Sequence, residues 1–465
     1  MGFVLSVLYF VTYYLTPVTI FGQLAAFRIE LILAVIVALI SLPKLVESFA
    51  LKTPQSLAVI GLGLAALLSV TIGMSWAGGG VQALFSFIPN ALAYFLVCLH
   101  CDSKKKLQVL VLMMLFVCLF VIAQGSIELQ RGLPASTALQ AGDIDAQAEE
   151  VDNSPYLFVM MNDTGDLFYR LKGRGEINDP NDFGQLIVCV LPLVFIFWTP
   201  KKTFTNIAFV LLPVCVLLFG VYLTHSRGAM LALLATVIVA SRRRVGTMPS
   251  LLIAVVLFIA ASASGFTGGR DISAAAGEDR TTLWGEGLRV LKAHPLFGVG
   301  FGKMADYTDS GHTAHNSVVV CAAELGLFGM YFWALFLFST MRDTLVIASP
   351  GKVAEAQPTA LEERRFPQLL RSIEAVNKQE ICSMGRLVLL SLTGFLVAGW
   401  FLSRAYVMTL FLLGGFVEVI FEMALRQGMI SPRLPLARVL RYAGGLAISL
   451  LVLMYVMLRI INLTH

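Results

Sequence analysis

The chain has 465 residues, of which 57% are apolar and only 14% charged, and its mean hydropathy is +0.81. A soluble chain of this length cannot hide so much apolar surface, so the composition excludes a soluble globular protein and predicts a polytopic membrane protein. The formal charge of +5, from 34 Lys and Arg against 29 Asp and Glu, is small and dispersed and does not point to nucleic acid.

A bilayer core of about 30 Å takes about 20 helical residues, and about thirteen apolar stretches approach that length. They cover residues 3–22, 29–43, 56–75, 81–99 and 107–124, then 182–199, 206–224, 228–241 and 250–265, and last 315–340, 386–402, 405–424 and 441–461. Arg404 is the one strong divider within 386–424. The expected fold is all-α, with about 12–13 transmembrane helices and two long outer loops bearing short helices. The expected divisions are an N-terminal membrane block 1–124, a polar segment 125–181, a central membrane block 182–265, a second polar segment 266–314, a helix 315–340, a third polar segment 341–385 and a C-terminal membrane block 386–465.

No basic stretch precedes the first apolar run, so no cleavable signal peptide is expected. The seven cysteines are odd in number and lie in or beside apolar stretches or in the third polar segment, so no disulfide framework follows. Cys98-Leu-His-Cys101 has a redox or metal spacing, but it ends an apolar run without a second pair and reads as interfacial thiols. No tandem repeat is visible, which argues against a solenoid.

Alternate short loops differ in charge. One set holds Lys44, Lys52, Lys104, Lys105, Lys106, Lys201, Lys202, Arg242, Arg243, Arg244, Arg426, Arg433, Arg438 and Arg441, whereas the other holds Arg28, Arg227 and Arg404. Cytoplasmic loops accumulate Lys and Arg, so the N-terminus and segment 341–385 are expected inside, and segments 125–181 and 266–314 outside. An odd number of spans would put the C-terminus outside. The inner segment, rich in Arg, Glu, Pro and Gln, reads as an ordinary amphipathic or disordered loop. Chemistry is expected on the outer face.

The first outer segment passes from the acidic residues Asp143, Asp145, Glu149, Glu150 and Asp152 into Arg170, Lys172, Arg174 and Asn178-Asp-Pro-Asn181-Asp182, just before a membrane helix. Two readings fit: a solvated basic loop with a turn and helix cap, or an anion site in which guanidinium groups and a helix N-terminus bind phosphate. Next, Thr224-His-Ser-Arg227-Gly-Ala229 joins two apolar runs with almost no loop. The run that follows is short, so Arg227 either snorkels to the headgroups or sits in a wet functional cavity.

The second outer segment carries Asp279-Arg280, an amphipathic stretch with Trp284, Leu288 and Leu291 on one face, and then His294-Pro-Leu-Phe-Gly298-Val-Gly300-Phe-Gly302. The glycine run can bring amides near a phosphate, but no strand precedes it, so a dinucleotide-binding reading is poor. His312-Thr-Ala-His315-Asn316 opens the next apolar run. The two histidines lack a convincing third zinc ligand; a lone His there is either a packed cap or, beside several Arg, a general base.

In this order the motifs resemble the O-antigen ligase and polysaccharide polymerase family of bacterial membrane glycosyltransferases. The matching pieces are Arg170, Gly173, Gly175 and Asn178 to Asn181; Ser226-Arg227-Gly228; Arg280 with Trp284; His294 to Gly300; Ala314-His315-Asn316; and Glu324 to Gly326. They span about residues 170–330. Arg174, an extra cation between two glycines, and His312 depart from the pattern.

The resemblance implies a multi-pass enzyme of the bacterial inner membrane with its active site facing the periplasm. Such enzymes use no nucleotide sugar, cofactor or metal. They move a glycan from a lipid-linked diphosphate, typically undecaprenyl diphosphate, to an acceptor hydroxyl such as that of the lipid A core. By the same carry-over, His315 is the general base and Arg170, Arg227 and Arg280 hold the diphosphate; Asn181, His294, Gly298, Gly300 and Asn316 within the motifs, and Arg174 and His312 beside them, are the expected substrate-binding positions. The alternatives are a polysaccharide polymerase, a protein O-oligosaccharyltransferase and, in a different class, a transporter or flippase of lipid-linked glycan. No paired inverted repeat favours the last.

Overall fold

The computed structural model describes the chain outside residues 21, 48–51, 132–153, 162–166, 264–265, 267–274, 310, 350–366 and 465. The acidic run 143–152 therefore lies outside the described residues. Helix α1 (Gly2–Leu15) stops where Thr16, at φ 42°, precedes Pro17, because proline drives the residue before it out of the helical region. Helices α2 (Ile29–Glu47), α3 (Pro54–Thr71), α4 (Ala77–His100) and α5 (Lys104–Arg131) follow. The start of α3 is fixed by Thr53, whose side chain accepts from the Ser56 amide, with Pro54 in the first turn.

Helix α6 (Pro180–Leu193) opens in the same way on Asp179 and Pro180. The span Thr203–Thr224 (α7) is followed after two residues by α8 (Arg227–Val245), then α9 (Thr247–Ala263) and α10 (Ala275–Ala293). Helices α11 (Ser317–Ala348), α12 (Pro367–Gly399), α13 (Met408–Arg426) and α14 (Leu436–Thr464) complete the chain. Among the described residues, every apolar stretch read from the sequence overlaps a helix, although the stretch 3–22 is broken at Thr16. Among the described residues, nine helices are long and apolar enough to cross a membrane. The chain is an all-α polytopic membrane protein.

The boundaries differ in places, for physical reasons. Two strands, β1 (Leu157–Met161) and β2 (Leu167–Leu171), pair antiparallel in the first outer segment with Phe158 opposite Arg170. Each is too short for its periodicity to be told from that of a helix. Helix α11 runs past the expected limit at 340 because its polar end is satisfied internally: Asp343 accepts from Arg342, Arg433 and Gln55. With α12 starting at Pro367, the third polar segment is shorter than 341–385. All seven cysteines are free.

Helix α11 is the central element and packs on α3, α10, α12, α13 and α14. Contacts sort the helix ends into two groups that match the charge count. The starts of α3 and α5, the end of α8 and the polar end of α11 meet through Gln55–Asp343, Lys104–Glu380 and Arg243–Ser349. The opposite ends gather Tyr13, Glu176, Thr224, His315 and the turn before α13.

Candidate functional site

Arg170 leaves β2 and turns inward. It is buried, its Nε donating to the Thr224 carbonyl and a terminal guanidinium nitrogen to Asn181 Oδ1, both at 2.9 Å. Asn181 in turn donates its amide to Asp179 Oδ1, the side chain that caps α6. Arg170 and Asn181 thus fasten the hairpin and the Asp-Pro-Asn turn to the Thr-His-Ser-Arg turn. That geometry braces the two turns against each other. Arg174 lies over the Tyr156 ring at 4.8 Å, so it too is directed at the hairpin.

The turn before α8 is tightly made. Thr224 ends α7, His225 is left-handed at φ 46° with its Nδ1 2.7 Å from the Phe266 carbonyl, and Ser226 caps α8 through the Ala229 amide. Gly184 of α6 lets this turn sit close: a Cβ there would be 2.8 Å from Ala229 Cβ. Arg227 is consequently the first residue of α8, half-buried. A cation at a helix N-terminus opposes the dipole there, an arrangement stability alone would not favour. Both the dipole and Arg227 attract an anion.

Arg280 projects from α10 into the same neighbourhood. Burial and then the nearby Arg227 charge hold its guanidinium below its ordinary pKa. Trp284, one turn on, is buried and packs edge-on against Trp400 with ring centroids 6.4 Å apart. This contact places the Arg280 face of α10 beside the mouth of α11.

His315 occupies that mouth in the left-handed conformation, φ 48°, and is exposed. The chain around it nonetheless withdraws water. That burial, with Arg280 next in size, pushes the imidazole below its ordinary value; Asp179 works the other way and His312 adds to the lowering. A neutral imidazole among cations has the protonation state a general base needs. His312 is exposed beside it, its carbonyl accepting from Thr308. Asn316, by contrast, is fully committed: its Oδ1 caps α11 through the Val318 and Val319 amides and its Nδ2 donates to the Trp400 carbonyl.

The glycine run lies elsewhere. Helix α11 breaks at Gly326, φ 63°, and the segment from His294 fills the break. The Val299 and Gly300 amides donate to the Ala323 and Glu324 carbonyls, and the Leu327 and Phe328 amides to those of Pro295 and Leu296. Gly298 donates to the His294 carbonyl, and a Cβ on it would be 2.3 Å from the Glu324 oxygen. These glycines permit close backbone contact, and the Gly298 and Gly300 amides are engaged within the chain. His294 packs edge-on against Tyr307.

Arg227, Arg280, His312 and His315 are thus brought together, while Arg170, Asn181 and Asn316 support them and Arg174, His294, Gly298 and Gly300 serve neighbouring packing. The sequence alone assigns no site role to Asp182, Glu176 or the 400–407 turn. Asp182 is buried and hydrogen-bonded to Arg404. Burial opposes the Arg404 charge, but Asp182, Glu176 and Asp179 outweigh it and hold its pKa above the ordinary value. Glu176 accepts from the Tyr13 hydroxyl and the Met408 amide, and burial raises its own pKa against those bonds. The available signal was Arg404 itself, a lone cation between two apolar runs. Among the described residues, no group of three or more His, Cys, Asp or Glu is arranged to hold a metal ion.

Residues 208–334 match the family model described as O-antigen ligase. Arg227, Arg280, His294, Gly298, Gly300, His312, His315 and Asn316 fall inside the match, whereas Arg170, Arg174 and Asn181 precede it. No curated protein matches the chain.

Proposed function

We propose that this chain, whose residues 208–334 match the family model described as O-antigen ligase, is a membrane glycosyltransferase that moves a glycan from undecaprenyl diphosphate to a lipid A core hydroxyl at the periplasmic face of the bacterial inner membrane. The observation that carries this reading is the meeting of Arg227, Arg280 and His315 between α8, α10 and the mouth of α11, where the Arg227 charge acts on Arg280 and the Arg280 charge on His315.

The chemistry needs a group to take the acceptor's proton and positive charge to receive the departing diphosphate. The exposed, neutral His315 imidazole suits the first role. Arg227, supplemented by the α8 N-terminus, and Arg280 suit the second, because guanidinium groups bind phosphate oxygens bidentately and stabilise charge as it develops. The Arg227 charge already lowers the Arg280 pKa, so binding of the donor diphosphate relieves that repulsion. Arg170 contributes by bracing the turn that carries Arg227. The apolar outer faces of α8 and α9 offer hydrocarbon-compatible surface for a polyprenyl tail.

The arginines replace a divalent ion at the leaving group, so turnover is expected to survive EDTA. The test is a gel-resolved transfer assay with purified protein in detergent and EDTA, supplied with undecaprenyl-diphosphate glycan with and without lipid A core. Product only with the core supports the ligase reading. Lengthening of the glycan without it would replace that reading with a polymerase, and transfer only to an added protein with a protein O-oligosaccharyltransferase. No transfer to any acceptor would overturn the enzyme reading in favour of a transporter.

A further inference from the structure

The turn between α12 and α13 lies beyond residues 208–334 and beyond every motif read from the sequence, yet it touches each part of the site. Ser403 Oγ accepts from the His315 amide at 2.9 Å and lies 2.6 Å from Thr313 Oγ1. On either side of it, the Trp400 carbonyl accepts from Asn316 Nδ2 at 3.0 Å and the Leu402 carbonyl from Ser317 Oγ at 2.9 Å. The Trp400 ring meets Trp284 on the Arg280 helix, and Arg404 pairs with Asp182 on the helix that Asp179 caps.

A left-handed backbone is unfavourable for a residue with a Cβ and persists only where its surroundings hold it. At His315 those surroundings are the 400–404 turn, which bonds residues 313, 315, 316 and 317 in succession. The local sequence supplies no alternative, since neither neighbour of His315 is glycine or proline.

We infer that the 400–404 turn is a clamp that sets the position of His315 against Arg280, with Ser403 as its positioning residue. This deepens the reading of His315 as the base and rests on it. Ser403 touches no reacting atom; it acts by fixing the main chain from which the imidazole projects. Loss of its hydroxyl frees the His315 amide and Thr313 together, and the ring then relaxes away from Arg280, Asp179 and His312, the charged and titratable groups that face it.

The experiment uses the full-length protein in detergent with undecaprenyl-diphosphate glycan and lipid A core, and compares wild type, Ser403→Ala and Ser403→Thr. For Ser403→Ala, kcat is expected to fall about 10- to 100-fold, the scale of a reacting group misplaced by about 1 Å, with the KM for the donor little changed. The acid limb of the rate profile should move up in pH, because a ring that leaves Arg280 for water regains its ordinary affinity for a proton. Ser403→Thr keeps the hydroxyl and should restore both kcat and the limb. Ser403→Ala with wild-type kcat and an unmoved limb would overturn the clamp, as would equal losses in both variants accompanied by lower melting temperatures. If wild type itself transfers no glycan while remaining folded, the parent reading falls and the clamp falls with it.

Discussion

At the far end of α11 from His315, Asp343 accepts from Arg433, Arg342 and Gln55, and Arg433 also donates to Glu418. Both acids are buried, and Arg433 lies over the Phe421 ring as well. Each arginine there has a carboxylate within hydrogen-bond reach. At the His315 end, the Arg227 charge bears on Arg280 and the Arg280 charge on His315, while Asp179 caps α6 and Asp182 is paired with Arg404. The same bundle thus joins acid to base at one end, the closed one, and gathers cations around an exposed histidine at the other, the open one. A buried charge paired with its opposite holds helices together; cations gathered beside an exposed base suit an incoming anion.

The contrast can be broken most sharply at the open end. His315→Ala or Arg280→Ala is expected to lower glycan transfer by about 10²–10⁴-fold while leaving the melting temperature near wild type. A large loss of stability in either would mean that the open end is structural after all. At the closed end, Asp343→Ala leaves buried Arg433 with Glu418 alone and removes the Arg342 and Gln55 partner, and should cost about 3–5 kcal/mol of stability, with transfer per folded molecule preserved. Differential scanning fluorimetry and activity normalised to the folded fraction separate the two outcomes.

Gly326→Ala tests the joint between the two ends. A Cβ there would be 2.5 Å from the Leu296 carbonyl at a φ of 63°, and the expected cost is about 1–3 kcal/mol. The smallest effect expected is on pH. A base works once deprotonated, and His315 titrates below its ordinary value, so the acid limb of kcat should lie below about pH 6.5. Asp179 opposes that lowering; Asp179→Asn should therefore shift the limb further down while retaining a side chain able to cap α6. An upward shift would mean that Asp179 does not face His315.

The helices were legible because lipid imposes one length and one composition on every span, and that signal survives without knowledge of tertiary contacts. The meeting of Arg227, Arg280 and His315 was legible from motif order, since each stands at or beside a helix mouth on the less basic side of the membrane. Arg170 was not: its residue type suggests phosphate, and only the fold supplies the Thr224 carbonyl and Asn181 that turn it inward. The glycine run carries a related ambiguity. Glycine signals that backbone will come close, but not whether the partner is a phosphate or, as here, the broken helix at Gly326. Ser403 left no local trace, because a lone serine between apolar runs acquires meaning only through an amide 88 residues away in sequence.

The seam between the 295–300 segment and the interrupted α11 has an engineering consequence. A helix that opens its ladder at membrane depth exposes amides and carbonyls that hydrocarbon cannot satisfy, and here the inserted loop supplies the missing partners. Loop and helix are therefore obligate halves of one unit. A chimera that exchanges outer segments between relatives should cut before His294 and carry α11 through at least Phe328 from the same parent. A cut at Gly302 would set a loop from one parent against a helix from the other, where side chains that do not fit would hold the two backbones apart and leave amides and carbonyls unmatched.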